Sequence, residues 1–376
     1  MKIAPFDMER MQSIWENQVD INLSESGVHP LALGELLDQA PDRERLFGRA
    51  LGYPQTNGTI ALRSAIAALY PGATADHVHV TNGGSEANFC TMWSLLDPSD
   101  DVVMMAPNYM QTWGIAGAFA RTARKWPLVE RGGRWQPDLD ALRALLKPRT
   151  KLLVVCNPNN PTGACFDAAA LDAICHEAAR YGTWVLADEI YRGAELCGGE
   201  TPSIWGRYER AVVTSGLSKA YGLPGLRIGW VVGPPPLVAS TWSYHDYTSI
   251  APGAINDHLA TAALAPATRA RILQRTRGIL NANYAALTSW LAERADLFSF
   301  IPPQAGAIVY ARYRRPINST ALATRLRTEH GVLVVPGDHF GMDGFLRIGF
   351  GGPAHELFEG LSRLEAVLRS AGEREK

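Results

Sequence analysis

Lys219 and Arg227 are the two residues of this chain whose types and spacing most directly imply chemistry. Lys219 sits among small and hydroxyl residues in Ser215-Gly216-Leu217-Ser218-Lys219-Ala220, directly after the β-prone run Ala211-Val212-Val213-Thr214. A lysine held at a strand end and partly desolvated loses proton affinity, and its free amine can form a Schiff base with a carbonyl. Arg227 follows eight positions later; it keeps its charge and suits a phosphate gripped by a forked pair of hydrogen bonds. Together they would anchor the aldehyde and the phosphate of one molecule, pyridoxal phosphate. The plain alternative is an exposed lysine and an arginine opening the strand Ile228 to Val232.

Other stretches carry groups that such a cofactor needs. In Thr81-Asn82-Gly83-Gly84-Ser85-Glu86-Ala87, glycines let backbone N–H groups approach an anion at a helix N-terminus, so Gly83, Gly84 and Ser85 make a phosphate cradle, or else an ordinary turn and cap. In Ala187-Asp188-Glu189-Ile190-Tyr191, Asp188 offers the carboxylate that pyridoxal chemistry requires against the ring nitrogen, because a protonated ring accepts electrons from the substrate α-carbon. A solvated acidic pair at a strand end is the competing reading. Asn157-Pro158-Asn159-Asn160-Pro161-Thr162-Gly163 is the most specific string, since its X-Pro steps force a turn and leave amides pointing outward. Arg347 lies inside the apolar run Phe345 to Phe350 and needs a partner there, either a bidentate substrate carboxylate or an internal salt bridge. Tyr109 follows a strand, and Trp113 four residues on would share its helix face and border the substrate; each is otherwise a buried aromatic.

These residues need a scaffold, and from His77 to about Val232 short β-rich runs alternate with helical patterns. The runs are His77 to Thr81, Asp101 to Ala106, Lys151 to Cys156, Thr183 to Ala187, Ala211 to Thr214 and Ile228 to Val232. That cadence predicts an α/β fold with a mainly parallel sheet, helices on both faces and sites at the carboxyl ends of strands. Met1 to about Leu37 reads as irregular, with Gly27 and Pro30 breaking any helix. Leu237 to Tyr247, Pro252 to Leu264 and a long run Ala267 to Ala295 read as helices, Phe300 to Tyr313 and Gly331 to Phe350 as strands, Glu356 to Arg369 as a closing helix, and Gly372 to Lys376 as a disordered tail. Three segments result: 1–48 as an N-terminal arm and part of a small domain, 49–266 as the large cofactor-binding domain, and 267–376 as a linking helix with the rest of the small α+β domain.

Composition bounds the partners. Lys+Arg 36 against Asp+Glu 37, without a long basic run, argues against nucleic acid or an anionic membrane. Five cysteines without CxxC spacing argue against a disulfide frame or a metal site and for a reducing, cytoplasmic setting. No stretch approaches the apolar length of a membrane span.

Ser215-Gly216-Leu217-Ser218-Lys219, ending in Gly225-Leu226-Arg227-Ile228-Gly229, resembles the Schiff-base segment of fold-type I, class I/II aminotransferases, and the other motifs follow in that family's order along nearly the whole chain. The resemblance implies a seven-stranded-type large sheet, pyridoxal 5′-phosphate on Lys219, and transfer of an amino group between an L-amino acid and an α-keto acid. Lys219, Asp188 and Tyr191 become catalytic candidates. It also implies that Tyr109 stacks on the pyridine, that Asn160 and Tyr191 bond the phenolic oxygen, and that Asn160 and Arg347 meet the substrate carboxylate. Ser218, with Ser215 as a second candidate, would give a hydroxyl to the phosphate, because Gly216 stands where the family often has serine. Gly27 would lie over the cofactor. Tyr53, five residues before Gly58, would cross a homodimer interface to the neighbouring phosphate, or be a core tyrosine at a turn.

The same scaffold supports lyase, cyclase and oxidase chemistry. Ser26-Gly27-Val28-His29 also resembles capreomycidine synthases, which cyclise a hydroxyarginine. Glu25 and Asp246 either face the pocket, favouring a cationic substrate such as arginine, or are surface charges; His29 and His245 have no assigned part. A non-catalytic effector-sensing module is the reading from another class, and it conflicts with the retained Lys219 and the absence of a basic DNA-binding extension.

Overall fold

The computed structural model describes residues 2–37 and 40–373. Its centre is an eight-stranded sheet of β1 (Val78–Thr81), β2 (Asp101–Ala106), β3 (Thr122–Arg131), β4 (Arg134–Pro137), β5 (Thr150–Cys156), β6 (Trp184–Asp188), β7 (Ala211–Gly216) and β8 (Gly229–Val232), in the order β1-β8-β7-β6-β5-β2-β3-β4. Five adjacent strands, β7-β6-β5-β2-β3, run parallel, and β8 and β4 are antiparallel to their neighbours. Parallel strands covered on both faces must be apolar throughout, which is why Val102 to Met105 and Leu152 to Cys156 are buried without alternation.

The six β-rich runs read from the sequence correspond to β1, β2 and β5 to β8; β3 is not among them, and β4 takes the sheet one strand beyond the seven-stranded expectation. Gly132 and Gly133, at φ +60° and +70°, form the left-handed two-residue turn that lets Arg134–Pro137 fold back on β3.

A 27-residue helix, Pro266–Ala292, leaves this unit and leads to a four-stranded antiparallel sheet of Phe298–Phe300, Ile308–Tyr313, Phe345–Gly349 and Val335–Pro336. Proline at its first position adds no broken hydrogen bond there. The expected run Gly331 to Phe350 is interrupted by a 3₁₀ turn at Gly337–Phe340. The final helix, Ala354–Glu373, includes two residues of the expected disordered tail; residues 374–376 lie outside those described.

The N-terminal segment departs most from expectation. It forms a helix, α1 (Asp7–Trp15), with Asp7 and Glu9 in its first turn, where acids favour the helix dipole, and with Met8 and Gln12 buried one turn apart. Met8, Met11 and Trp15 recur at the i, i+3, i+7 spacing of one helix face, a periodicity that reading this segment as irregular passes over. After it, Ile21–Asn22 pairs in parallel with Val332–Leu333, and the arm continues across the second sheet. Gly349 N–H donates to the Leu23 carbonyl at 2.7 Å, and His29 N–H to the Gly351 carbonyl at 2.8 Å. Side chains at Gly349 and Gly351 would overlap the carbonyls of Glu25 and Gly27, so these two glycines are what let the arm lie directly on the strand.

Candidate active site

The carboxyl ends of β1, β2, β5, β6 and β7 converge on one cavity of about 300 Å³, inside the ~300–1,000 Å³ range of small-molecule sites. It takes in Ser85, Tyr109, Asn160, Asp188, Tyr191, Ser218, Lys219, Arg227 and Arg347, brought from stretches up to 262 residues apart in the chain.

Its floor is Asp188, whose carboxylate accepts hydrogen bonds from Asn88 Nδ2 at 2.9 Å and from the Ile190 N–H at 3.1 Å. Thr214 Oγ1 fixes Asn88 by donating to its Oδ1 at 2.6 Å. Burial pushes the Asp188 carboxyl above its ordinary range even against those two bonds, so it favours a partner with which it can share a proton.

The phosphate-sized end is built from backbone. Gly83, at φ +94°, precedes the helix Gly84–Leu95, and a Cβ there would overlap the Arg227 guanidinium. Arg227 itself takes a left-handed φ of +48°, uncommon outside glycine, and reaches the Asn82 carbonyl at 3.4 Å and Ser218 Oγ at 3.5 Å. A Cβ on Gly229 would strike the Gly83–Gly84 backbone, and one on Gly216 would come within 2.7 Å of the Ile228 carbonyl oxygen. The absent serine at position 216 thus has a steric reason. Behind the cradle, Glu86 accepts from the Asn82 N–H at 2.6 Å and is bonded to His245, which is bonded in turn to His79, both at 3.1 Å. His245 therefore supports the loop from beneath.

Arg347 is 1 % exposed. Its Nη1 donates to Asn160 Oδ1 at 3.0 Å and its Nη2 to the Ser24 carbonyl at 2.5 Å, while its Nε has no hydrogen-bond partner among the described residues. A buried guanidinium held only by neutral oxygens still lacks a counter-charge, which a carboxylate in the cavity would supply.

Lys219 Nζ stands 3.3 Å from Glu25 Oε2. Burial alone would pull its pKa down, as expected from the sequence, but Glu25, then Tyr191 and Glu9, outweigh burial and set it above the ordinary lysine value. The amine is an ammonium here, and the acids around it, more than its desolvation, govern its proton.

Several expected residues lie elsewhere. Ser215 is buried in β7 and donates to the Glu189 carbonyl at 3.1 Å, because strand alternation turns it away from the cavity that Ser218 lines. Trp113 packs beside the Lys125 ammonium, 5.4 Å from its ring, and is not in the lining. Tyr53 is 87 % exposed on the surface. Asp246 is exposed and outside the cavity, whereas Glu25 faces it. Gly27 runs against Lys219, where a Cβ would sit 3.4 Å from Lys219 Cδ.

The residues that sequence reasoning missed come mainly from α1 and the turn after it: Met8, Glu9, Gln12 and Glu16 line the cavity. Tyr109 ties that helix down by donating to Glu9 Oε1 at 2.8 Å, and Tyr191 ties the arm by donating to Ser26 Oγ at 2.9 Å. The available signal was the Met8–Gln12 spacing and the pair Gly349 and Gly351, small residues that imply a crossing chain.

Pyridoxal phosphate fits these residues. The cradle would be filled by any Cβ at Gly83, Asp188 waits for a protonated nitrogen, and Lys219 is the only lysine in the lining among the described residues. No group of three or more His, Cys, Asp or Glu among the described residues is arranged to hold a metal ion.

Comparison with known proteins agrees. Residues 20–364 match the family Aminotransferase class I and II. A capreomycidine synthase from Streptomyces vinaceus is 34% identical over 358 residues, covering 93% of this chain and 90% of that one. The arginine–pyruvate transaminase AruH of Pseudomonas aeruginosa is 28% identical over 325 residues, covering 83% and 81%. A solved PLP-dependent aminotransferase from Streptococcus suis superposes with a TM-score of 0.92 at 33% identity, covering 99% of both chains. With its motifs folded around one lysine-bearing cavity, the chain belongs to the class I and II aminotransferases and its cofactor is pyridoxal 5′-phosphate.

Proposed function

We propose that this chain moves the α-amino group of an L-amino acid to an α-keto acid, with Lys219, Asp188 and Tyr191 as its catalytic residues. The observation that carries the reading is that the Lys219 amine, the buried Asp188 carboxylate and the Arg347 guanidinium share one cavity. When bound, pyridoxal phosphate supplies an electrophilic carbon for an amine and a ring that accepts electrons. Gly83, Gly84, Ser85, Ser218 and Arg227 hold its phosphate, Asp188 keeps a proton at the ring nitrogen, Tyr109 covers the ring, and Asn160 and Tyr191 bond its phenolic oxygen. Arg347 and Asn160 orient the substrate carboxylate, and Lys219 Nζ carries the α-proton.

A second reading has its own support. The 34% identity to a capreomycidine synthase supports ring closure as the alternative chemistry on the same cavity. Titrating the purified holoprotein with single amino acids, with and without oxygen, separates the two. Conversion of the cofactor's absorbance to its amine form, reversed by a keto acid, establishes transamination; ammonia, a cyclised product or oxygen uptake overturns it. Lys219→Ala must abolish covalent cofactor attachment in either case.

Class I and II aminotransferases act on amino and keto acids and are typically dimers. We assign the dimer contact to the face bearing Phe47, Leu51 and Tyr53, exposed at 86%, 80% and 87%, because large apolar side chains grouped on a surface mark an interaction face. Tyr53 would then reach the neighbouring phosphate. Mixing Tyr53→Ala with Lys219→Ala protomers should restore one intact site per hybrid, and no recovery sinks the arrangement. All five cysteines are free thiols, and no helix among the described residues is long and apolar enough to cross a membrane. We place the enzyme in the cytoplasm, a placement that recovery in an exported or membrane fraction would refute.

A further inference from the structure

The charges around the cavity do not balance, and the imbalance sits at one end. Four carboxylates, Glu9, Glu16, Glu25 and Asp188, face it together with Lys219, Arg227 and Arg347. Under the proposed function, on which this charge assignment rests, Arg227 is matched by a phosphate, Arg347 by a substrate carboxylate and Asp188 by a ring nitrogen. Glu9, Glu16 and Glu25 remain, with Lys219 paired to Glu25.

The three acids act as a group. Burial, then Glu25 and Glu9, raise the Glu16 carboxyl above its ordinary value, while Lys219 lowers it. Glu25 is held low first by Lys219 and then by Arg347. Neither cation can stay with them through a turnover. Lys219 must free its amine to take a proton, and Arg347 is neutralised once a substrate carboxylate meets its guanidinium in the cavity.

The acids are also placed to meet a substrate's far end. Glu9 and Glu16 lie two turns apart on the same side of α1 and its cap, a span of about 10 Å. Glu16 and Glu25 stand where the cavity joins a second pocket lined by the arm and the Gly349–Leu357 segment. The buried, partner-seeking Arg347 and the acid group thus give the cavity one end for an anion and another for a cation.

We infer that the substrate is an L-amino acid whose side chain ends in a cation, a guanidinium or a primary ammonium, received by Glu9, Glu16 and Glu25. Glu25 exchanges its contact with Lys219 for one with the substrate. Glu16 is the discriminating residue, because Glu25 is paired with Lys219 and Glu9 accepts from Tyr109, whereas no ion pair or hydrogen bond holds the Glu16 carboxylate among the described residues. Part-exposed charge pairs change affinity by up to roughly fivefold each, so three of them together can exceed roughly tenfold.

Two readouts on the holoenzyme test this. In the first, arginine, lysine, norleucine and glutamate are compared by the rate at which each converts the cofactor's absorbance; the two cations should lead norleucine by roughly tenfold or more. Arginine against lysine then tells guanidinium from ammonium. In the second, calorimetry compares two dead-end carboxylates that cannot react, δ-guanidinovalerate and hexanoate, and the guanidinium compound should bind more tightly. Glu16→Gln should reduce both preferences severalfold.

If norleucine or glutamate equals the cations and the two dead-end ligands bind alike, the inference is overturned while the proposed function stands. If no amino acid converts the cofactor, that function fails instead, and calorimetry still decides the preference.

Discussion

The two ends of the cavity are built by opposite means. At the phosphate end, backbone meets backbone: Gly216 and Gly229 are glycines because the chain passes too close for a Cβ, and Gly83 because its φ is +94° and the Arg227 guanidinium fills the space beside it. At the mouth, side chains from α1 and the arm close the space, and Glu9, Glu16 and Glu25 stay partly exposed. Backbone packing tolerates little change, whereas a rim of long polar side chains adjusts at small cost. The cofactor end is therefore fixed and the substrate end adaptable, a division suited to a scaffold that keeps one cofactor and varies its substrate.

The largest effect should follow from a wedge at the rigid end. Gly229→Ala drives a methyl group into the Gly83–Gly84 backbone, with no flexible side chain to yield. Overpacking of this kind costs typically ~1–3 kcal/mol, and here it also opens the cradle around the anion. We expect Gly229→Ala to lose the bound-cofactor absorbance on gel filtration and to melt earlier, while Gly352→Ala, with nothing near its Cβ, does neither. A Gly229→Ala protein that keeps its cofactor would remove the claim that backbone contact defines this end.

The contrast also explains what the sequence showed. Short-range motifs such as Asn157 to Gly163 and Asp188 to Tyr191 sit at strand ends, so reading the sheet placed them, and Asn160, Asp188, Lys219 and Arg347 do share one cavity. The parallel core was legible because strands buried on both faces are continuous apolar runs. The mouth was not, because α1 buries only Met8 and Gln12, and nothing local says that it covers Tyr109. The hairpin strand Arg134–Pro137 was missed although Gly132-Gly133 carried the turn signal. Lys219's proton affinity was misjudged for the same reason as the mouth: its neighbour Glu25 is 194 residues away in the chain.

Burial beneath the rigid end predicts a pH signature of its own. Glu189, next to Asp188, is buried; desolvation first, with Asp188 adding, pushes its carboxyl from 4.5 to about 7. The folded protein then keeps a proton that the unfolded chain releases earlier, so this group's stabilisation is present below pH 4.5 and falls as pH rises towards about 7. The shift corresponds to about 3 kcal/mol over that window. Glu189→Gln keeps an oxygen to accept from Ser203 Oγ and the Ile204 N–H, so it should flatten denaturant-derived stability between those pH values. An unchanged slope would place the pH dependence elsewhere.

The smallest expected loss of stability is the one that decides whether the two ends are separate units. Gly349→Ala puts a methyl group against the Glu25 carbonyl, as Gly229→Ala does at the cradle, yet what it meets is the arm. The arm is held by a row of single hydrogen bonds, among them Ile21–Gly331, Leu23–Leu333, Leu23–Gly349 and His29–Gly351, of which a clash at Gly349 breaks those next to it first. Displacement costs about 1–2 kcal/mol in melting, at the low end of overpacking, because the strain is relieved by movement rather than stored. It takes with it Glu25, beside Lys219, and Ser26, bonded to Tyr191. Gly349→Ala should therefore retain the cofactor, expose the segment before His29 to limited proteolysis, and raise KM for the amino acid. Should it shed the cofactor as Gly229→Ala does, arm and cradle move as one cooperative unit, and substrate selection at the mouth is tied energetically to cofactor binding.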